Sequence, residues 1–188
     1  MTDYTVRPVR ADEWRQVRAL RLEALQDEAA PLAFLESYEQ GLAHPDAFWR
    51  DRAAGSSADA GPDAASRQLV AVAGGADGGE ATGTWVGTVV VLVETVGGRD
   101  FEGRTIERAA GHVVGVYVAP GHRGAGVIDR LLAEALAWAE TRGLDRARLY
   151  VHADNPRAQG AYRRAGFAPT GTTVDGSIGP EIEMARAL

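Results

Sequence analysis

Arg123-Gly124-Ala125-Gly126 is the run whose residue types and spacing point most directly to chemistry, since it joins a strand-like Val116-Tyr117-Val118 to an amphipathic run starting at Val127. A strand, a glycine turn and a helix start form an anion site, because unpaired backbone N–H groups and the helix dipole converge where no Cβ blocks close approach. Arg123 adds a formal charge beside them, and Gly124 and Gly126 admit a phosphate or pyrophosphate. Glycine also serves ordinary strand-to-helix turns, so the turn alone leaves both readings open. Two nucleotide readings fail on residue type. A G-x-G-x-x-G fingerprint needs its third glycine where Asp129 stands, and a Walker motif needs lysine, which the chain lacks.

Composition narrows the chemistry further. The absence of cysteine excludes disulfides, thiol nucleophiles and cysteine-based zinc sites. All 20 basic residues are arginine, which excludes a Schiff base and a lysine general base. None of the five serines lies in a G-x-S-x-G elbow. His44, His112, His122 and His152 show no metal spacing such as H-E-x-x-H, so no metal is expected. With 26 acidic residues the net charge is -6, which disfavours nucleic acid and favours cationic partners. The longest apolar run, residues 85–93, is broken by Gly87 and Thr88 and falls far short of the roughly 18 residues of a spanning helix. The opening residues carry no leader pattern, so a cytoplasmic protein without membrane association is expected.

The 188 residues suit one domain, since domains run roughly 100–200 residues. Residues 4–9 read as a strand, followed by a helix that Asp12 caps and that carries Trp14, Val17, Leu20 and Leu25 at helical spacing. A second helical region covers residues 34–52. Flexible loops are expected near residues 53–66, 74–83 and 94–111. Residues 69–73, 85–93 and 112–118 read as strands. The strongest helix spans residues 127–142, with Gly143 positioned for a left-handed C-terminal cap. A strand over 148–152 leads to a helix with Asn155 as N-cap and Pro156 at its first position, ended by Gly166, and a closing hairpin follows. This order predicts an α/β sandwich with a mixed sheet.

An arginine turn after Val-Tyr-Val, followed about 30 residues later by Asn155, Ala158, Tyr162, Gly166 and Phe167, resembles the GNAT superfamily of N-acetyltransferases. The resemblance covers residues 116–128 and 151–167, and more loosely the stretch from Arg21 and the closing Glu183-Met184-Ala185. It implies an α/β (α+β) domain over residues 1–188, with a mixed, mostly antiparallel sheet of six or seven strands flanked by helices and splayed into a V-shaped cofactor cleft. It also implies transfer of an acetyl group from acetyl-CoA to a primary amine in a direct ternary complex. In the family the R/Q-x-x-G-x-G/A turn holds the pyrophosphate, which assigns cofactor binding to Arg123, Gly124, Ala125, Gly126, Val127 and Ile128. Ile128 departs from the motif, with a branched side chain where glycine or alanine is usual. That departure keeps a second reading open, a domain that binds an acyl-CoA as a sensor without turnover.

The resemblance also assigns roles around the turn. Val116, Tyr117 and Val118 match the strand whose backbone pairs with the pantetheine arm, and the Val118 amide would meet the thioester carbonyl. Tyr162 would protonate the departing thiolate, although a tyrosine packed on an alanine-rich helix face fits the same spacing. Asn155 would touch the cofactor besides capping its helix. His112 stands where many members carry a glutamate base, with His152 a weaker candidate and a structural histidine the plain alternative. His122 is expected to assist phosphate binding and His44 to belong to the acceptor side. The acceptor is a small-molecule or peptide amine, and family habit allows a homodimer.

Overall fold

Valine-rich runs make the centre of the molecule: β-branched side chains fit the pleat, and these runs are apolar at consecutive positions because both sheet faces are covered. In the computed structural model, which describes residues 2–74, 83–100 and 103–188, they become β2 (Ser66–Ala73), β3 (Thr84–Glu94) and β4 (Ala110–Val118). With β1 (Tyr4–Pro8), β5 (Arg146–His152), β6 (Ala168–Gly176) and β7 (Gly179–Ala187) they form a seven-stranded sheet in the order β1-β2-β3-β4-β5-β7-β6. All neighbours are antiparallel except β4 and β5.

Alternation along β2 shows why both faces are apolar. Leu69, Ala71 and Ala73 meet α4 (Val127–Thr141), which lays Leu131, Leu132, Ala135, Leu136 and Ala139 on that face. Val70 and Val72 point the other way, to α1 (Trp14–Ala24) and α3 (Asp46–Ser56), where Val17, Leu20, Trp49 and Ala53 are buried. Helix α5 (Pro156–Arg164) joins the α4 side through Tyr162. Among the described residues no helix is long and apolar enough to cross a membrane.

Several local expectations change. Glu13, not Asp12, closes the first turn by accepting from the Arg10 N–H at 2.7 Å. The helical region splits into α2 (Tyr38–Ala43) and α3 because His44 precedes Pro45 and is driven to extended backbone, ψ 133°. The loop expected over 53–66 is largely built: α3 runs to Ser56, a 3-10 turn follows at Ala58–Ala60, and β2 starts at Ser66. Buried Trp49, Ala53 and Ser56 hold that extension at helical spacing. Most of the expected loop 74–83 lies outside the described residues. The segment 94–111 is shortened by strand at both ends and carries a bridge between Arg99 and Thr105.

Two irregularities in β4 open the sheet. Against β3 its register slips, so that Gly115 and Val116 together oppose one residue, and Gly115 takes φ +61°. This bulge puts a left-handed residue where glycine bears little cost. Against β5, β4 pairs only at Gly111↔Ala147 and His112↔Arg148. Beyond His112 the strands part.

Candidate active site

The parting strands open a cleft of about 910 Å³. At one end stands the start of α4. Gly124 and its N-cap, Gly126, have φ +77° and +76°, and among the described residues no side chain caps the helix. Among the described residues no acceptor meets the backbone N–H groups of residues 124–129. A Cβ built on either glycine would meet nothing within 4 Å. Converging free donors on an open helix start suit an anion with several oxygens.

Arg123 does not present the bare charge that the sequence suggests. Its Nε donates to the Val118 carbonyl at 2.8 Å and its Nη2 pairs with Asp27 at 2.5 Å, so it ties the turn to β4 and to the loop after α1. Attraction for an anion then comes chiefly from the backbone. Ile128, the motif's odd residue, borders the cleft but also packs on the α4-side core beside buried Val127. His122 shares a hydrogen bond of 3.1 Å with the Tyr4 hydroxyl on the cleft wall.

In the middle of the cleft, the Ala119 N–H donates to Val86 of β3 at 2.8 Å, so strand alternation turns the Val118 N–H away from β3. The Tyr117 side chain goes to the α1–α3 side, where its hydroxyl donates to Glu23 at 3.0 Å and burial pushes the phenol up. Across from β4, Tyr162 is 8% exposed and borders the cleft; burial raises its phenol above the ordinary value. Among the described residues its hydroxyl has no partner, while its ring packs edge-on against Phe167. Asn155 caps α5 by accepting from the Ala158 N–H at 3.1 Å and faces the same cleft.

The sheet face toward α1 and α3 carries the polar side. His112 is 2% exposed, on the face shared by Gln68, Val90 and Leu92. Its Nδ1 lies 2.9 Å from Glu94, whose carboxylate also takes both the Nε (2.6 Å) and Nη2 (2.7 Å) of Arg148. Burial would raise the Glu94 carboxyl, but the hydrogen bonds and charges of His112 and Arg148 overcome it and hold the carboxyl down at about 2. Glu94 therefore stays charged and fixes the His112 ring. His152 is engaged at both nitrogens: Nδ1 accepts from the Asp154 N–H at 3.0 Å, which leaves Nε2 as the donor to the Ile178 carbonyl at 3.1 Å. A ring locked in that tautomer has no lone pair to offer as a base. His44 pairs with Glu36 at 2.7 Å and stacks on Phe48.

One cleft thus gathers Val116, Tyr117, Val118, Arg123, Gly124, Val127, Ile128, Asn155, Tyr162 and His112. Ala125 and Gly126 lie on the turn without bordering it. Sequence reading missed Glu94 and Arg148, which reach His112 only through strand pairing, and Arg21, Arg52 and Gln68, which line the opposite end. The one available signal was a carboxylate closing the apolar run of β3.

A family model described as the acetyltransferase (GNAT) family matches residues 42–167. The chain belongs to the GNAT acetyltransferase family. Its open, mostly antiparallel sheet is the fold of solved members. A GCN5-related N-acetyltransferase from Kribbella flavida superposes with a TM-score of 0.67 at 22% identity, covering 98% of each chain. A phosphinothricin acetyltransferase from Sinorhizobium meliloti, solved with AcCoA, gives 0.67 at 17% identity over 98% of this chain and 88% of that one. By sequence, 63 residues are 38% identical to the mycothiol acetyltransferase of Beutenbergia cavernae, which is 34% of this GNAT chain. The match spans 21% of that relative's length.

Proposed function

We propose that this GNAT protein transfers the acetyl group of acetyl-CoA directly to a primary amine while both substrates are bound. The observation that carries the reading is a single cleft with uncapped helix donors at one end, a buried phenol across the middle, and a carboxylate-held histidine on its polar side. Acetyl-CoA supplies the activated acetyl group as a thioester. The free N–H groups of residues 124–129, with those of Ala125 and Gly126 among them, suit its pyrophosphate. The edge of β4 at Val116, left without a β5 partner, offers backbone groups to an amide-bearing arm, while Tyr117 turns its own toward Thr88 of β3.

The Val118 N–H is suited to receive negative charge developing on the thioester oxygen. Tyr162 stays neutral at physiological pH and can protonate a departing thiolate, whose conjugate acid has a pKa of about 8.5. His112, oriented by Glu94, takes the proton that the amine must lose, directly or through water. No cysteine exists to carry the acetyl group, which favours direct transfer over a covalent enzyme intermediate. The test is thiol release from acetyl-CoA over a panel of amines. Release that depends on the amine is expected; release indifferent to amine, or none with any amine, overturns the reading.

A further inference from the structure

At its inner end the cleft meets a recess bordered by Arg21 from α1, Arg52 from α3, Gln68 and Thr88 of the sheet, Phe34 and the Gly115 bulge. The charges there do not balance. Arg21 donates to Glu36 from Nε at 3.2 Å and Nη2 at 3.1 Å and lies over the Phe34 ring, 4.4 Å from its centroid. Glu36 is shared with His44. The guanidinium of Arg52 has no hydrogen bond or ion pair among the described residues and feels only the more distant charge of Glu36, although the side chain is mostly buried. Burial and the like charge of Arg52 both hold Arg21 below the ordinary arginine value, so the two guanidiniums feel each other across the recess. Of the other nearby acids bordering the cleft, Asp27 is taken by Arg123 and Asp51 is exposed.

Gln68 adds a second, independent mark. Thr88 donates its hydroxyl to the Leu69 carbonyl at 2.8 Å and so accepts from Gln68 Nε2 at 3.1 Å, which fixes the orientation of the amide. Among the described residues Gln68 Oε1 is left buried without a partner, on a residue only 5% exposed. A buried acceptor that folding leaves unmet costs stability, and a ligand N–H that satisfies it removes the cost.

We infer that the acceptor amine also carries an oxyanion, foremost a carboxylate, which pairs with Arg52 beside Arg21 while Gln68 Oε1 accepts an N–H of the same molecule. This rests on the acetyl-transfer reading and names its acceptor class. It replaces the cationic acceptor that the net charge of -6 suggests, because the charge of the whole surface does not set the field in one recess closed by two guanidiniums.

The experiment compares an amino acid, its carboxamide, its phosphonate analogue and a diamine of similar length. Each is tested two ways: as a ligand, by thermal shift in the presence of CoA, and as an acceptor, by thiol release. The amino acid should raise the melting temperature and exceed its carboxamide about tenfold in kcat/KM, chiefly through KM, as loss of one charge-assisted contact would give. The phosphonate arm tells which oxyanion fits better. Arg52→Gln should erase the preference, and Arg52→Glu should turn it toward the diamine, in proteins that still gain stability from CoA. A carboxamide or diamine that equals the amino acid, or a preference that survives Arg52→Gln, overturns the inference while leaving acetyl transfer standing. An Arg52-dependent shift without thiol release from any amine would instead sink acetyl transfer and keep the oxyanion site.

Discussion

Tyr162 is a case where one oxygen atom can be tested apart from the ring that carries it. The ring is packed against Phe167 and the α4-side core, whereas the hydroxyl has no protein partner among the described residues. Tyr162→Phe should therefore leave stability within about 0.5 kcal/mol of the original, as for substitutions that disturb no packed or bonded feature. The chemical step should fall by up to about 100-fold to 10,000-fold, the range for a positioned general acid. Single-turnover rates with saturating acetyl-CoA check this, and unchanged rates would return the tyrosine to a purely packing role. Tyr162 and Asn155 were legible in the sequence because a helix of known phase carries both, and the cap fixes where that phase begins. Glu94 was not: it meets His112 diagonally across an antiparallel pair, and only the register tells which carboxylate that is.

At the scale of elements, α4 was legible almost to the residue, since its apolar positions repeat at helical spacing and glycine stands at both ends. Its energetics follow from the same pattern. Leu131 is fully buried between β2, β3 and the helix, so Leu131→Ala should cost about 2–5 kcal/mol, the usual loss for a large core side chain whose site collapses only in part. Urea unfolding measures it, and a cost below about 1 kcal/mol would mean that the helix is not held by this face. The acceptor side was far less legible. Arg21 and Arg52 sit on different helices, and their approach depends on how α1 and α3 lie on the sheet, which no local spacing encodes. The end of α3 was also hidden, because its small residues carry little helical signal until Trp49 and Ala53 are known to be buried.

At the scale of the molecule, the ion pairs of Glu94 bind β3, β4 and β5 to one another. A carboxyl held at about 2 in the folded chain, against an ordinary 4.5, contributes stability that is complete above the unfolded value and is lost as pH falls through the folded one. Stability should accordingly drop as pH falls from about 4.5 toward about 2, with Glu183 adding to the same trend because Thr170, Arg146 and Arg148 hold its carboxyl down as well. Glu94→Gln should lower stability at neutral pH and flatten that acid limb; an unaltered limb in denaturant titrations at stepped pH would show that other carboxylates govern it. The short pairing of β4 with β5 has a different consequence. It divides the sheet into two leaves, β1 to β4 and β5 to β7, with a spine of only two residue pairs. Main-chain bonds alone would make a weak binding, and besides the Glu94 ion pairs the leaves are joined by α4, whose apolar side presses on Leu69 and Val89 of one and on a core continuous with Leu149 and Met184 of the other. The helix acts as a dowel through both boards, and an anion gripping its free end would steady the two at once.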